Sequence, residues 1–274
     1  MNRREAERLA EFFDSLQCVG NPLLLLDYDG TLSDFRINRF NARPWAGVRE
    51  LLMQVQQDKR TRLMVVTGRP AGEINPMLQL DVPVEVWGLH GAEHLCADGR
   101  RELQPAPPEA LAKLDDLREL LKQNSVGGLV EDKPNGIVMH WRGHTPRQVQ
   151  SIERKTRALF EPAAQVTGLS LLPFEAGIEL RVGRDKGGAV QEIIESAAPG
   201  SPVTYVGDDL TDESAFCAVN KARSPHVSVL MRREWRQTNA EVWLRPPEEL
   251  RWFLSEWLKA VGGRRDKQGE FSAA

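Results

Sequence analysis

Two carboxylates one residue apart, Asp27 and Asp29, follow the four leucines Leu23-Leu24-Leu25-Leu26 and precede Gly30-Thr31-Leu32. An unbroken apolar run reads as a strand buried on both faces. Gly30 permits the sharp turn that must end it. Ionised carboxylates at the tip of a buried strand repel one another and need a cation or a proton to share. That suits a Mg²⁺ site in which one carboxylate is a nucleophile and the other carries a proton. Asp-x-Asp-Gly is also a common turn, and it opens the EF-hand calcium loop. That loop requires Gly at its sixth position and Glu at its twelfth. Counted from Asp27, those positions are Leu32 and Asn38, which excludes an EF-hand.

Matching polar groups recur downstream. Arg62-Leu63-Met64-Val65-Val66 runs into Thr67-Gly68-Arg69-Pro70, and Val203-Thr204-Tyr205-Val206 runs into Gly207-Asp208-Asp209. Lys186 opens a helical segment. In an open parallel sheet, ligands bind beyond the carboxyl ends of the strands, so these groups are expected at one edge. The chemistry that fits is phosphoryl transfer. Mg²⁺ takes oxygen ligands, and Asp27, the backbone carbonyl of Asp29 and Asp208 are the expected metal set. Asp27 attacks phosphorus and Asp29 protonates the leaving alkoxide, then deprotonates the hydrolytic water. Thr67 offers a hydroxyl to the phosphate, Lys186 adds positive charge, and N–H groups of the Gly30-Thr31 turn cradle the anion. Joint coordination requires Asp208 to lie within about 8 Å of Asp27, given the short oxygen distances of Mg²⁺. Asp209 and Asp212 are expected one layer out, orienting metal-bound water, although Asp212 equally suits the N-cap of its helix.

The elements that must position these residues alternate. A docking helix over 4–17 precedes the first strand. Helices near 45–57, 186–196 and 212–219 separate strands at 62–66, 84–87, 203–206, 227–231 and 242–244, and an amphipathic helix around 250–258 closes the chain. Strand–helix–strand alternation implies a parallel sheet with helical crossovers. Residues past Gly262 are polar and are expected to fray. Between these halves the pattern changes. A Pro-rich stretch, 104–108, precedes a helix (108–123), a hairpin (128–131 with 136–142, turned at Asn135-Gly136), a helix (146–160) and a second hairpin (170–174 with 178–182, turned at Glu175-Ala176-Gly177). The fold class is therefore α/β: a Rossmann-like parallel-sheet core, residues 1–105 and 183–274, with an inserted α+β cap, residues 106–182.

Bulk properties narrow the function. At 274 residues with a net charge of −3, the chain has no global basic field for nucleic acid. No apolar run approaches membrane-span length. Cys18, Cys96 and Cys217 are far apart with no Cys-x-x-Cys, which points to reduced thiols and a cytoplasmic protein, and the five histidines lack zinc-ligand spacing. The expected partner is a small-molecule phosphate, not nucleic acid or membrane, and the expected state is a monomer.

In order, Asp-Tyr-Asp-Gly-Thr-Leu, Val-Val-Thr-Gly-Arg-Pro, an inserted segment, Asp-Lys-Gly and Gly-Asp-Asp-Leu-Thr-Asp-Glu resemble the haloacid dehalogenase superfamily of phosphatases. Gly88 to Glu93, Glu131-Asp132-Lys133 followed by His140 and Arg142, Glu179-Leu180-Arg181, and Asp208 to Glu213 are similar, more narrowly, to the trehalose-6-phosphate phosphatase family. The resemblance implies Mg²⁺-dependent hydrolysis of trehalose 6-phosphate, in trehalose biosynthesis, beneath a closing cap. It also implies that Glu131, Lys133, Arg142 and Glu179 grip the sugar. Arg69, His90, Gly91 and His140 join them as expected substrate contacts, His90 alternatively filling a loop and His140 packing the cap. The same core suits glucosylglycerol or glucosylglycerate phosphate. A catalytically silent sugar-phosphate sensor is the alternative from another class, and the intact Asp27/Asp29 pair speaks against it.

Overall fold

A computed structural model describes residues 1–18, 20–36, 38–123, 129–174 and 177–269. The chain divides into two compact units. One comprises Met1–Glu102, Asp185–Asp208 and Asp212–Ala274; the other comprises Leu103–Arg184 with Asp209–Thr211.

The larger unit is built on an eight-stranded sheet. In chain order its strands are β1 (Leu23–Leu26), β2 (Arg62–Val66), β3 (Glu85–Gly88), β4 (Glu93–Leu95) and β5 (Arg101–Leu103), then β10 (Val203–Gly207), β11 (His226–Met231) and β12 (Val242–Leu244). Their spatial order is β12-β11-β10-β1-β2-β3-β4-β5. Every pair from β12 to β3 is parallel, and β4 turns back antiparallel on β3. The leucines of β1 alternate between two cores. Leu24 and Leu26 pack with α1 (Arg3–Cys18), α2 (Val48–Asp58) and α8 (Glu248–Gly269), whereas Leu23 and Leu25 pack with α6 (Lys186–Ser196) and α7 (Glu213–Asn220). All four are buried, each stabilising the fold by roughly 1.5–3 kcal/mol. Among the described residues no helix is long and apolar enough to cross a membrane.

Three features differ from the sequence reading. β4 and β5 are three-residue, largely polar strands, too short for alternation to register. A one-turn helix, α3 (Ile74–Leu78), lies between β2 and β3, where the sequence reading placed no element. The helix α8 continues to Gly269, past Gly262 where fraying was expected.

The smaller unit is a four-stranded antiparallel sheet in the order β6-β7-β9-β8: β6 (Val130–Lys133), β7 (Gly136–His140), β8 (Leu169–Phe174) and β9 (Gly177–Val182). Its core joins Ile137, Met139, Ile178, Leu180 and Val182 to α4 (Pro108–Gln123) and α5 (Pro146–Ala163). Gly128 and the Glu175-Ala176 turn lie outside the described residues. Arg142 was expected on the same strand face as His140. Instead β7 ends at His140, and Trp141 to His144 form a turn closed by the His144 N–H on the Trp141 carbonyl, 3.2 Å, with Gly143 at φ +84°. Strand alternation therefore does not extend to Arg142, which is exposed.

Candidate active site

The strand order brings the polar strand ends together. β1 lies between β10 and β2, in register at Leu26↔Val206 and Leu26↔Val65. Asp27, Asp208 and Thr67 follow those strands, and the Asp27 N–H still donates to the Val206 carbonyl at 2.9 Å. Ligand oxygens of Asp27, Asp208 and Asp212 lie within 4.8 Å of one another, and all three residues are buried.

Glycines make this crowding possible. Gly30 sits at φ +80°, a left-handed conformation open to glycine, and a Cβ there would lie 2.1 Å from Asp208 Oδ2. A Cβ on Gly207 would lie 2.4 Å from Asp212 Cγ. The Gly30 N–H is committed to the Ser33 carbonyl at 2.8 Å, which removes it from the expected anion cradle.

Lys186 is the positive centre. It is the first residue of α6, whose N-cap Asp185 accepts from the Gly188 N–H. Its Nζ lies 2.9 Å from Asp27 Oδ1 and 2.7 Å from Asp212 Oδ1. Burial disfavours the ammonium, but Asp212 and Asp27 outweigh it, and the Lys186 pKa rises above its ordinary value. Burial pushes the Asp27 carboxyl up to about 8 despite the pull of Lys186. Asp212 is fully engaged: Oδ1 also accepts from the Tyr205 hydroxyl at 2.6 Å, and Oδ2 accepts from the Asp208 N–H at 2.9 Å. It occupies the N-cap position of α7 but its side chain makes no capping bond. Asp209 Oδ1 accepts from the adjacent Leu210 N–H, at the start of a short 3₁₀ turn.

Asp29 has a different cationic partner from Asp27. Arg69 clamps its carboxylate with two bonds, Nε to Oδ2 and Nη2 to Oδ1, each 2.6 Å. Arg69 was expected at the substrate; here its guanidinium is spent on Asp29, the Arg39 carbonyl and Met77. Thr67 is buried and its Oγ1 accepts from the Arg69 N–H at 3.2 Å. His90 is buried in a left-handed conformation, φ +57°, with its N–H on the Thr67 carbonyl. A Cβ on Gly68 would lie 2.6 Å from His90 Nε2, so the ring fills the loop against that glycine. Gly91, at φ +99°, completes the same tight turn.

In the smaller unit, Glu131, Val138 and Glu179 are directly opposed across β6, β7 and β9, so their side chains share a face. Residues two positions on, Lys133, His140 and Arg181, join them. This face is opposite to that covered by α4 and α5. His140 Nε2 lies 2.8 Å from Glu131 Oε2, and Lys133 Nζ 3.3 Å from Glu179 Oε1. Glu179 and Arg181 are almost wholly buried.

Residues 25–245 match the family model described as trehalose-phosphatase. The chain belongs to the trehalose-phosphatase family. It is 31% identical over 231 residues to the trehalose-phosphate phosphatase of Mycobacterium marinum, covering 77% of this chain and 57% of that protein. The chain thus spans little more than half the length of that relative. The fold matches the C-terminal domain of the Candida albicans trehalose-6-phosphate phosphatase with a TM-score of 0.78, at 19% identity, over 92% of this chain and 96% of that one. A trehalose-6-phosphate phosphatase related protein matches with a TM-score of 0.66 at 25% identity, over 89% and 99% of the two chains.

Against this trehalose-phosphatase background, three further residues buttress the acidic edge that the sequence did not single out. Tyr205 stands in the middle of an apolar strand and reaches Asp212. Arg236 donates to the Asp208 carbonyl at 3.4 Å and pairs closely with Glu213. Glu213 also accepts from Thr238 and the Asn239 N–H. The signal for Tyr205 was present: a phenol inside Val-Thr-Tyr-Val needs a buried acceptor.

Proposed function

We propose that this chain is a Mg²⁺-dependent phosphatase that hydrolyses trehalose 6-phosphate to trehalose and phosphate through an aspartyl phosphate on Asp27. The observation that carries the reading is Asp27 held against Lys186 at the carboxyl edge of the sheet, in a chain of the trehalose-phosphatase family. An all-oxygen donor set, buried and crowded against Gly30, fits a hard divalent cation. Asp27, Asp208 and the Asp29 carbonyl would hold it. When bound, Mg²⁺ neutralises phosphate charge and keeps Asp27 ionised.

The residues then divide the work. An Asp27 oxygen attacks phosphorus as the bond from phosphorus to the sugar oxygen breaks. Asp29 gives its proton to that oxygen. Water next attacks phosphorus, Asp29 takes its proton, and Asp27 is released. Lys186 offsets charge on the attacking carboxylate and the phosphate. Thr67 has a hydroxyl proton to offer a phosphate oxygen. Asp212 orients Lys186, and Asp209 would orient water on the metal. Residues 106–182 act as a cap on a core formed by 1–105 and 183–274. Glu131, Lys133, His140, Arg142 and Glu179 supply the donors and acceptors that sugar hydroxyls require. Widely spaced cysteines support a reducing, cytoplasmic setting. Phosphate release from trehalose 6-phosphate, compared with glucosylglycerol and glucosylglycerate phosphates and repeated with a chelator, tests the proposal. Faster turnover of either rival reassigns the substrate, and full activity in chelator refutes the metal.

A further inference from the structure

We propose that Arg69 is the positioning residue of Asp29, fixing the plane of that carboxylate from the bend that follows strand β2 rather than touching the substrate; this rests on the role assigned above to Asp29. The guanidinium is itself a fixed body. Its Nη1 donates to the Arg39 carbonyl at 2.9 Å, approaches Met77 Sδ at 3.6 Å and lies 3.6 Å from Glu73 Oε2. Its Cζ stands 5.6 Å from the centre of the Tyr28 ring. Glu73 is in turn held by Arg39 Nη2 at 2.6 Å. At the backbone, the Arg69 N–H is on Thr67 Oγ1 and its carbonyl accepts from Leu89.

The Arg69 side chain is 8% exposed and that of Asp29 26%, so the anchored partner is the arginine and the outward one is the acid. Two parallel N–H···O bonds of 2.6 Å fix both the direction and the plane of a carboxylate, which a single point charge cannot do. Asp29 follows Asp27 by two residues, in a turn whose side-chain directions are not set by sheet alternation. The clamp supplies that direction. An acid that must meet a leaving oxygen within hydrogen-bond distance loses efficiency once its orientation is released.

The test separates leaving groups. A sugar alkoxide needs a proton to leave; p-nitrophenolate does not. Leaving-group release is followed in single turnovers, with enzyme in excess, for trehalose 6-phosphate and p-nitrophenyl phosphate. In R69Q, release of trehalose is expected to fall about 10- to 100-fold at saturation, with half-saturation unchanged within about threefold, whereas release of p-nitrophenolate changes by less than about threefold. R69K, which keeps charge but not the fork, is expected to behave like R69Q. E73Q loosens the anchor without touching Asp29 and should show a smaller difference of the same sign, which keeps the test open if Arg69 variants fold poorly. Equal losses on both substrates, rescue by lysine, or a rise in half-saturation with unchanged maximal rate would each overturn the proposal. A parent chain inert on trehalose 6-phosphate but active on another alkyl phosphate overturns the substrate assignment alone, and the comparison is then made with that alkyl phosphate.

Discussion

Lys186 Nζ lies 2.9 Å from Asp27 Oδ1, with both side chains almost wholly buried. The same nitrogen holds Asp212 at 2.7 Å, so one buried ammonium serves two buried carboxylates. Removing it leaves those carboxylates facing each other without compensation. Breaking such a buried pair costs about 3–5 kcal/mol. Lys186→Met is therefore expected to lower stability by that order in urea titration and to cut kcat by at least about 100-fold, the scale of losing one electrostatic stabiliser. A variant as stable as the parent would refute the electrostatic role of the lysine.

The Asp27 carboxyl carries the opposite liability. Burial raises it from 3.8 to about 8. The folded state therefore holds a proton that the unfolded chain releases at lower pH. The sign follows: this stability is fully present below about pH 4, and is lost as pH climbs through about 8. In chelator, the melting temperature of the parent should fall across that window. Asp27→Asn keeps an oxygen for Lys186 and removes the titration, so its melting curve should vary less with pH and exceed the parent's at pH 8. Parallel pH profiles for the two proteins would contradict this.

Mg²⁺ is expected to reverse the same penalty by giving the Asp27 and Asp208 carboxylates a cation. At a concentration one hundred times the dissociation constant, binding adds about 2.7 kcal/mol. Calorimetry should show a rise in melting temperature on adding Mg²⁺ to the chelated protein, in the absence of any substrate. Asp208→Asn should lose most of that rise while retaining the bond from its N–H to Asp212. An Asp208→Asn shift equal to the parent's would remove Asp208 from the metal set.

The acidic edge was legible because its parts announce themselves locally. Four leucines before Asp27 mark a doubly buried strand, and chain order places Asp208 and Thr67 beyond neighbouring strand ends. The partners of those groups were not legible. Arg69 meets Asp29 across 40 residues of chain, and Arg236 meets the Asp208 carbonyl across 28. No periodicity encodes such pairings. Arg142 shows the reverse failure. Alternation is reliable only while the strand lasts, and β7 stops at His140 as the chain turns through Gly143. In β4 and β5, three residues give alternation too little length to stand out.

The charged sheet face of the smaller unit gives the last expectation. Glu179 is 3% exposed and lies opposite Val138, with Lys133 Nζ 3.3 Å from its carboxylate. A carboxylate so placed accepts from Lys133, and carboxylate oxygens are the acceptors that sugar hydroxyls require. Glutamine conserves shape but removes the charge and converts one acceptor to a donor. Glu179→Gln should therefore weaken sugar binding by about 10-fold, the scale of one charge-assisted hydrogen bond, raising KM for trehalose 6-phosphate with kcat changed by less than about threefold. The KM for p-nitrophenyl phosphate, which has no sugar, should stay put. An equal rise in KM for both substrates would assign Glu179 to holding the sheet together rather than to the sugar.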